Sequence, residues 1–177
     1  MDDIVKQALL KWPNVPHCYG WLALDARGNW YLRDAQAQAE GAFPKSKGSL
    51  LEHEKLIEFI GRNYEHDDAG QWFFQNGPQR VYVELELAPW VFRIAEDGRV
   101  TTHTGLPVTP DACLLDEQGR VYLSSALGLG LIHTMDVPVA AELIDAGKWV
   151  PESVEAKELP TRFRFVPSPE AANLSSQ

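Results

Sequence analysis

Several classes of protein are excluded by what this 177-residue chain lacks. No segment approaches the ~18 consecutive apolar residues that a membrane-spanning helix needs. Residues 1–4 carry neither the basic nor the apolar stretch of a signal peptide. Sixteen Lys and Arg stand against 25 Asp and Glu, a formal net charge of −9, so we expect no basic surface for nucleic acid or an anionic membrane. A cytoplasmic protein without nucleic-acid or membrane partners is predicted.

Residues that commonly carry chemistry are also scarce or scattered. The two cysteines, Cys18 and Cys113, are too few for a disulfide framework and lack metal-ligand spacing. We interpret both as reduced and buried, with a bridge between them as the alternative. The five histidines form no H-x-H or H-E-x-x-H pattern, and neither a phosphate-binding loop nor a G-x-S-x-G elbow is present. We therefore predict no catalytic residue, metal or cofactor, and favour a non-enzymatic protein.

The chain does contain a nine-residue sequence motif, the repeated phrase, that occurs twice. Residues 24–32 and 115–123 share five of nine positions in the pattern Leu-Asp-x-x-Gly-x-x-Tyr-Leu. The glycine suits the positive φ of a tight turn, and the aspartate can accept hydrogen bonds from the turn backbone. The flanking leucines and tyrosine suit strands. The phrase predicts two similar β-hairpins, about half a chain length apart.

The remaining segments predict a mixture of strands and helices. Alternating apolar and polar residues over 80–87 predict an antiparallel strand with one solvated face. Helices are expected near residues 4–12, over 50–62 with Ser49 as the cap, and over 136–146. Residues 34–48 resemble a mobile surface loop and 64–70 a polar loop. Further strands are expected at 71–75, 90–95, 99–104 and 162–166.

The order hairpin, helix, Gly-x-Trp and strand occurs twice. We therefore predict an α+β fold of two related halves, each an antiparallel sheet with one packed helix, plus a short N-terminal helix. The predicted halves are residues 1–97 and 98–166. Residues 167–177, rich in Ser, Pro and Ala, are expected to form a disordered tail.

Scattered motifs resemble a bacterial protein family of unknown function. They are Cys18-Tyr19-Gly20, Gly28-Asn29-Trp30-Tyr31, a helix over 53–60, Trp72-Phe73, and Val81-x-Val83 leading into Ala88-Pro89-Trp90. The chain departs from the family pattern where Tyr19 separates the cysteine from the glycine and where Leu87 replaces an acidic residue. The resemblance implies two structurally similar β-rich halves and a ligand-binding or signalling role at their interface. It implies no established activity.

Six predicted ligand-binding residues come from the aromatic and charged positions. Six tryptophans are present, and those on predicted strands either pack in a core or line a pocket. Glu84 and Arg93 lie on consecutive predicted strands, so they form either an ion pair on a solvated face or the polar rim of a cleft. His103 follows a β-rich segment, with a surface or core position as the alternative. The set is Trp30, Trp72, Glu84, Trp90, Arg93 and His103.

Three functional hypotheses follow from these observations. The leading one is a non-enzymatic ligand-binding or regulatory module that takes a small molecule in a groove between the halves. The second is a protein–protein adaptor or homodimer with Tyr82 and Trp90 at its interface. The third is an enzyme with a non-obvious site, which requires a pocket holding titratable groups with perturbed pKa values.

Overall fold

A computed structural model describes residues 1–177 and divides the chain into two compact units. The first unit comprises Met1–Asp25, Asn29–Glu86 and Phe165–Gln177, and the second comprises Ala26–Gly28 and Leu87–Arg164. One sheet has six strands and the other seven, with few helices, which confirms the α+β class. The second unit begins at Leu87, earlier than the predicted boundary at residue 97, because the strand that starts at Trp90 pairs within the second sheet. No helix is long and apolar enough to cross a membrane.

The first unit is built around the six-stranded sheet. In chain order its elements up to residue 86 are α1 (Asp3–Lys11), β1 (Cys18–Leu24), β2 (Trp30–Leu32), α2 (Ala35–Glu40), β3 (Ser49–Leu50), α3 (Glu54–Arg62), β4 (Tyr64–His66), β5 (Trp72–Asn76) and β6 (Gln79–Leu85). The strand order is β3-β2-β1-β6-β5-β4. β1 and β6 pair in parallel and every other neighbouring pair is antiparallel. The sheet is therefore mixed rather than wholly antiparallel.

The second unit is built around the seven-stranded sheet. Its elements are β7 (Trp90–Ile94), β8 (Val100–Thr102), β9 (Pro107–Val108), β10 (Ala112–Asp116), β11 (Val121–Ser125), β12 (Gly128–Ile132), α4 (Val137–Asp145), β13 (Pro151–Val154) and α5 (Leu159–Arg162). The chain then returns to the first unit and ends in α6 (Pro169–Ser175). The strand order is β13-β10-β11-β12-β7-β8-β9, with parallel pairs at β10–β13 and β12–β7.

The two units share one topological core, which supports the prediction of related halves. In the first unit, an antiparallel meander of β1, β2 and β3 is followed by α3, and β6 returns to pair in parallel with β1. In the second, the meander of β10, β11 and β12 is followed by α4, and β13 returns to pair in parallel with β10. Each unit extends this core differently, at β5–β4 in one and at β7–β8–β9 in the other.

The repeated phrase is a turn, and the chain uses its geometry five times. In three turns an aspartate carboxylate accepts from the backbone N–H four residues later at 2.9 Å, and a glycine three residues after the aspartate has a φ near +80°. The turns start at Asp25, Asp67 and Asp116. Ala95 and Thr102 start two more with the same backbone pattern. The turn at Asp67 lies in a segment predicted to be a polar loop, because the strand before it has only three residues.

Several predicted boundaries are wrong for local reasons. Ser49 lies in β3, and α3 is instead capped by His53, whose Nδ1 accepts from the Leu56 N–H at 3.3 Å. The predicted loop 34–48 contains α2, capped by Asp34. No strand forms over 162–166, where α5 ends. Residues 169–175 form α6 instead of a disordered tail, with Pro at its first turn and Ser168 as its cap.

Candidate functional site

A pocket of about 560 Å³ lies in the first unit between α3 and one face of the sheet. This volume falls in the range of small-molecule sites in proteins. Eight of its twelve lining side chains are apolar or sulfur-containing. The complete lining is Cys18, Trp21, Leu22, Leu32, Arg33, Asp34, Ser49, Leu56, Ile60, Phe74, Asn76 and Val81.

The strand register builds the floor of this pocket from two rows of paired residues. Residues directly opposite one another on neighbouring strands share a face of the sheet. Leu22 on β1 pairs with Leu32 on β2, which pairs with Ser49 on β3. In the second row, Cys18 on β1 pairs with Val81 on β6, which pairs with Phe74 on β5. The floor therefore crosses five adjacent strands.

The rim of the pocket leaves large apolar side chains in contact with solvent. Trp21 and Leu32 are each 46% exposed, and Leu56 on α3 is 36% exposed. Deeper in the pocket, Ile60 is 1% exposed and closes the roof. Grouped apolar exposure of this kind commonly marks a ligand or partner site, because an apolar occupant removes that surface from water.

The electrostatics of the pocket do not favour an anion. The Arg33 side chain is only 1% exposed, and its guanidinium donates to three backbone carbonyls, those of Ser46 at 3.1 Å, Gly20 at 3.1 Å and Gly41 at 2.6 Å. The charged group is thus fully engaged in hydrogen bonds to the surrounding backbone. Asp34 is exposed, and its Oδ1 accepts from the Ala37 N–H at 2.9 Å. The exposed charged side chain that lines the pocket is therefore the negative one, that of Asp34.

Two of the predicted ligand-binding tryptophans lie in an aromatic cluster of the first unit. Trp30 meets Tyr64 edge-on with ring centroids 5.2 Å apart, and Tyr64 lies 4.9 Å from Trp72. All three rings are buried. Burial also raises the pKa of Tyr64. Neither tryptophan lines the apolar pocket, and this arrangement matches the core-packing alternative.

Glu84, the third predicted residue in this unit, is a buried anchor for α6. The Ser168 hydroxyl donates to its Oε1, and the Glu170 N–H donates to its Oε2 at 3.2 Å. Burial raises the pKa of Glu84, and these two hydrogen bonds partly oppose that rise. The predicted solvated face of β6 is therefore wrong at Tyr82 and Glu84, which are both buried. The Tyr19 ring stacks on Tyr82 with ring centroids 4.7 Å apart, and the C-terminal segment binds Glu84.

Replacing Glu84 with alanine is expected to loosen the C-terminal segment. A hydrogen bond to a charged group contributes about 1.5–3 kcal/mol, so amide hydrogen exchange at Glu170 and Ala171 should accelerate by about 10- to 100-fold. Exchange in β10 and β11 should stay unchanged. Glu58→Ala on the exposed face of α3 is the matched control and should leave α6 protected. Equal protection of α6 in the wild type and Glu84→Ala would contradict this role.

The other three predicted residues belong to the second unit. The Trp90 Nε1–H donates to the Leu127 carbonyl at 2.8 Å, and its ring centroid lies 5.6 Å from that of His103. The His103 Nδ1 accepts from the Val91 N–H at 3.1 Å. The structure thus brings Trp90 and His103 together against β7.

Arg93 pairs with an acidic residue that sequence reasoning did not select. Its Nε lies 2.7 Å from the Asp136 Oδ2, and its Nη2 lies 3.2 Å from Oδ1. The Ile94 N–H also donates to Oδ2, at 3.0 Å. The hydrogen bonds from Arg93, with that of Ile94, hold the pKa of Asp136 below its usual value. The predicted cross-strand pairing of Arg93 with the acidic residues of β6 is wrong, because β6 and β7 belong to different sheets.

Comparison with known proteins places the chain in a family. The model of family DUF2944, described as "Protein of unknown function (DUF2946)", matches residues 1–170. The chain belongs to this family. The match confirms the resemblance to a family of unknown function. No curated protein matches the chain significantly.

Two solved structures are similar to this DUF2944 member. A DUF1285 family protein from Silicibacter pomeroyi DSS-3 has 14% sequence identity, with 81% of this chain and 85% of that chain covered and a TM-score of 0.51. A DUF1285 family protein from Shewanella baltica OS155 has 18% identity, with coverage of 69% and 91% and a TM-score of 0.47. The first similarity supports a shared fold and carries no information on a ligand.

The pocket residues of this DUF2944 member were missed from the sequence for a physical reason. Leu56 and Ile60 lie one turn apart on the helix predicted over 50–62, and an apolar stripe on a helix usually faces a covered core. Whether an apolar residue on the helix is covered depends on which strands lie under it. The order of those strands includes the pairing of β1 with β6, which are far apart in sequence. The available signal was the concentration of apolar residues at Trp21, Leu22 and Leu32 on both strands of the first hairpin.

Proposed function

We propose that this protein is a non-enzymatic binding module that takes a small apolar molecule, neutral or cationic, in the pocket of its first unit. The observation that carries the proposal is the apolar pocket of about 560 Å³ with exposed Trp21, Leu32 and Leu56 at its rim. A regulatory role would follow from the occupancy of this pocket. The proposed site lies within one unit, whereas the sequence suggested a groove between the halves.

The chemistry of the lining supports binding rather than catalysis. Burial raises the pKa of the Cys18 thiol, which keeps it protonated and weakly nucleophilic at neutral pH. Asp34 is engaged in capping α2. The remaining polar lining residues, Ser49 and Asn76, are neutral hydrogen-bonding groups. These features suit the orientation of a ligand by a few polar groups at the edge of an apolar site.

Titration with the neutral dye N-phenyl-1-naphthylamine tests the proposal. The wild type should bind the dye with increased, blue-shifted fluorescence. Leu56→Trp places a larger ring over the pocket and should weaken binding by at least about tenfold, about 1.4 kcal/mol. Leu174→Trp introduces the same side chain on α6, where the leucine is 64% exposed and outside the pocket, and should leave binding unchanged. Unaltered binding in Leu56→Trp, or equal loss in both variants, overturns the proposal. Matching circular dichroism spectra confirm that both variants fold.

The same exposed rim favours a second candidate, a protein partner or homodimer. Trp21, Leu32 and Leu56 offer an apolar surface that a second chain would also cover. Light scattering over a range of concentrations separates the two candidates. A dimer that Leu56→Trp converts to monomer supports the second candidate. A monomer that binds the dye supports the first.

A further inference from the structure

The shape of the pocket floor restricts what it would bind. The floor runs from Ser49 on β3 across β2, β1 and β6 to Phe74 on β5. Neighbouring strands lie about 4.8 Å apart, so four spacings give a floor about 19 Å long. α3 lies over part of this floor through Leu56 and Ile60. A site of this form is a groove across the strands, and it matches an extended chain better than a compact ring system.

The two ends of this groove differ in polarity. Ser49 and Asp34 lie at the β2–β3 end, and both residues are exposed. Between the ends, the floor residues are apolar apart from the Cys18 thiol: Leu22, Leu32, Val81 and Phe74. At the β5 end Asn76 supplies one neutral amide. The only exposed charge along the groove is therefore the Asp34 carboxylate.

We infer that the ligand is a single-chain amphiphile, with an unbranched aliphatic chain lying across the strands and a neutral or cationic head beside Asp34 and Ser49. This inference rests on the proposed function and specifies its ligand class. An anionic head is disfavoured because the Arg33 guanidinium is buried against three carbonyls and cannot turn toward it. An anionic head at this end would also meet the like charge of Asp34.

The dependence on chain length tests the shape argument. Linear 1-alkanols from hexanol to decanol should displace N-phenyl-1-naphthylamine, with affinity rising about fourfold for each added methylene, the equivalent of about 0.8 kcal/mol of buried CH₂. 1-Octanol should displace the dye about tenfold more effectively than cyclooctanol, which has the same number of carbons in a compact form. Equal displacement by 1-octanol and cyclooctanol, or affinity independent of chain length, overturns the inference.

The head-group position is tested with three ten-carbon ligands at monomeric concentrations: decyltrimethylammonium, decanol and decanoate. In the wild type, the cation and the alcohol should bind more tightly than decanoate. Asp34→Asn keeps a residue that caps helices well, so α2 should remain folded. This variant should weaken binding of the cation about threefold, in keeping with a solvent-exposed ion pair, and should affect decanol less, because asparagine keeps an oxygen that accepts a hydrogen bond from the alcohol.

A matched variant separates a local effect from the overall negative charge. Asp68→Asn removes the same charge from an exposed turn of the first unit and should change neither affinity. Equal weakening of cation binding by both variants, or tightest binding of decanoate, overturns the assignment of the head group. Dye binding that depends on Leu56 but shows no preference for linear chains defeats only this inference. Dye binding that is insensitive to Leu56 defeats the proposed function itself.

Discussion

Replacing Arg33 with leucine is expected to lower the free energy of unfolding by about 3–5 kcal/mol, the range measured when one partner of a buried charged group is removed. The guanidinium donates to the carbonyls of Gly20, Gly41 and Ser46, and the Glu170 carboxylate lies 3.9 Å away. Leucine fills part of the space but leaves three carbonyls without this donor and an acidic group without its nearby cation. Each unsatisfied buried group adds its own desolvation cost.

The effect should be measured by urea unfolding, with two variants for comparison. Arg33→Lys keeps the charge but replaces a planar fork of donors with a single ammonium, so an intermediate loss is expected. Arg62→Leu removes an arginine that is 54% exposed and paired with Asp2, and it should cost less than about 1 kcal/mol. A loss in Arg33→Leu no larger than that in Arg62→Leu would show that the three carbonyls find other donors.

Asp116→Ala should have the second largest effect, a loss of about 3 kcal/mol. The Asp116 side chain is fully buried at the β10–β11 turn. Its Oδ1 accepts from the N–H groups of Gln118 and Arg120, and its Oδ2 accepts from the Arg120 Nε at 2.6 Å and the Tyr122 hydroxyl at 3.1 Å. Alanine leaves four donors without their acceptor in a turn that sets the register of two central strands.

The matched control for Asp116→Ala is Asp97→Ala. Asp97 also accepts from the backbone and side chain of an arginine two residues later, but it is exposed, so little change in stability is expected. Thermal unfolding at neutral pH should rank the variants. Comparable losses in the two variants would contradict the importance of burial at Asp116.

The Asp116 carboxylate should also make the stability of the protein depend on pH in the acid range. Burial alone would raise the pKa of Asp116, but the hydrogen bonds from Arg120 and Gln118 outweigh burial and hold its pKa below the usual value. Because the folded pKa lies below the unfolded value of about 3.9, the contribution of Asp116 is present above about pH 4 and is lost as pH falls through the folded pKa. The difference in stability between the wild type and Asp116→Ala should therefore shrink at acid pH.

The local features of this fold could be predicted from sequence, and its non-local features could not. The aspartate and glycine of the repeated phrase identified two turns correctly, because turn chemistry depends on adjacent residues. Glu84 was misplaced on a solvated face, because its burial depends on Ser168, which is 84 residues away. Arg33 showed no sequence signal at all. Its three acceptors are carbonyls, and backbone groups leave no trace in the pattern of residue types.

For the candidate site, too, the local features could be predicted from the sequence and the non-local ones could not. The sequence predicted the first hairpin and the helix over 50–62, and both carry apolar residues of the pocket lining. Their incomplete coverage is a property of the strand order β3-β2-β1-β6-β5, in which α3 lies over only part of a wide face. The predicted tryptophans are instead buried, since large aromatic side chains contribute most when they are removed from water.

The route of the chain through the first unit has a consequence for biosynthesis. Phe165–Gln177 belong to the first unit, although Leu87–Arg164 are translated before them as part of the second. A nascent chain that has emerged through β6 therefore still lacks the hydroxyl and amide that satisfy the Glu84 carboxylate. These contacts form only after the whole of Leu87–Arg164 has been synthesised. Chaperone protection during translation should thus matter more for the N-terminal part of the chain, although it is made first.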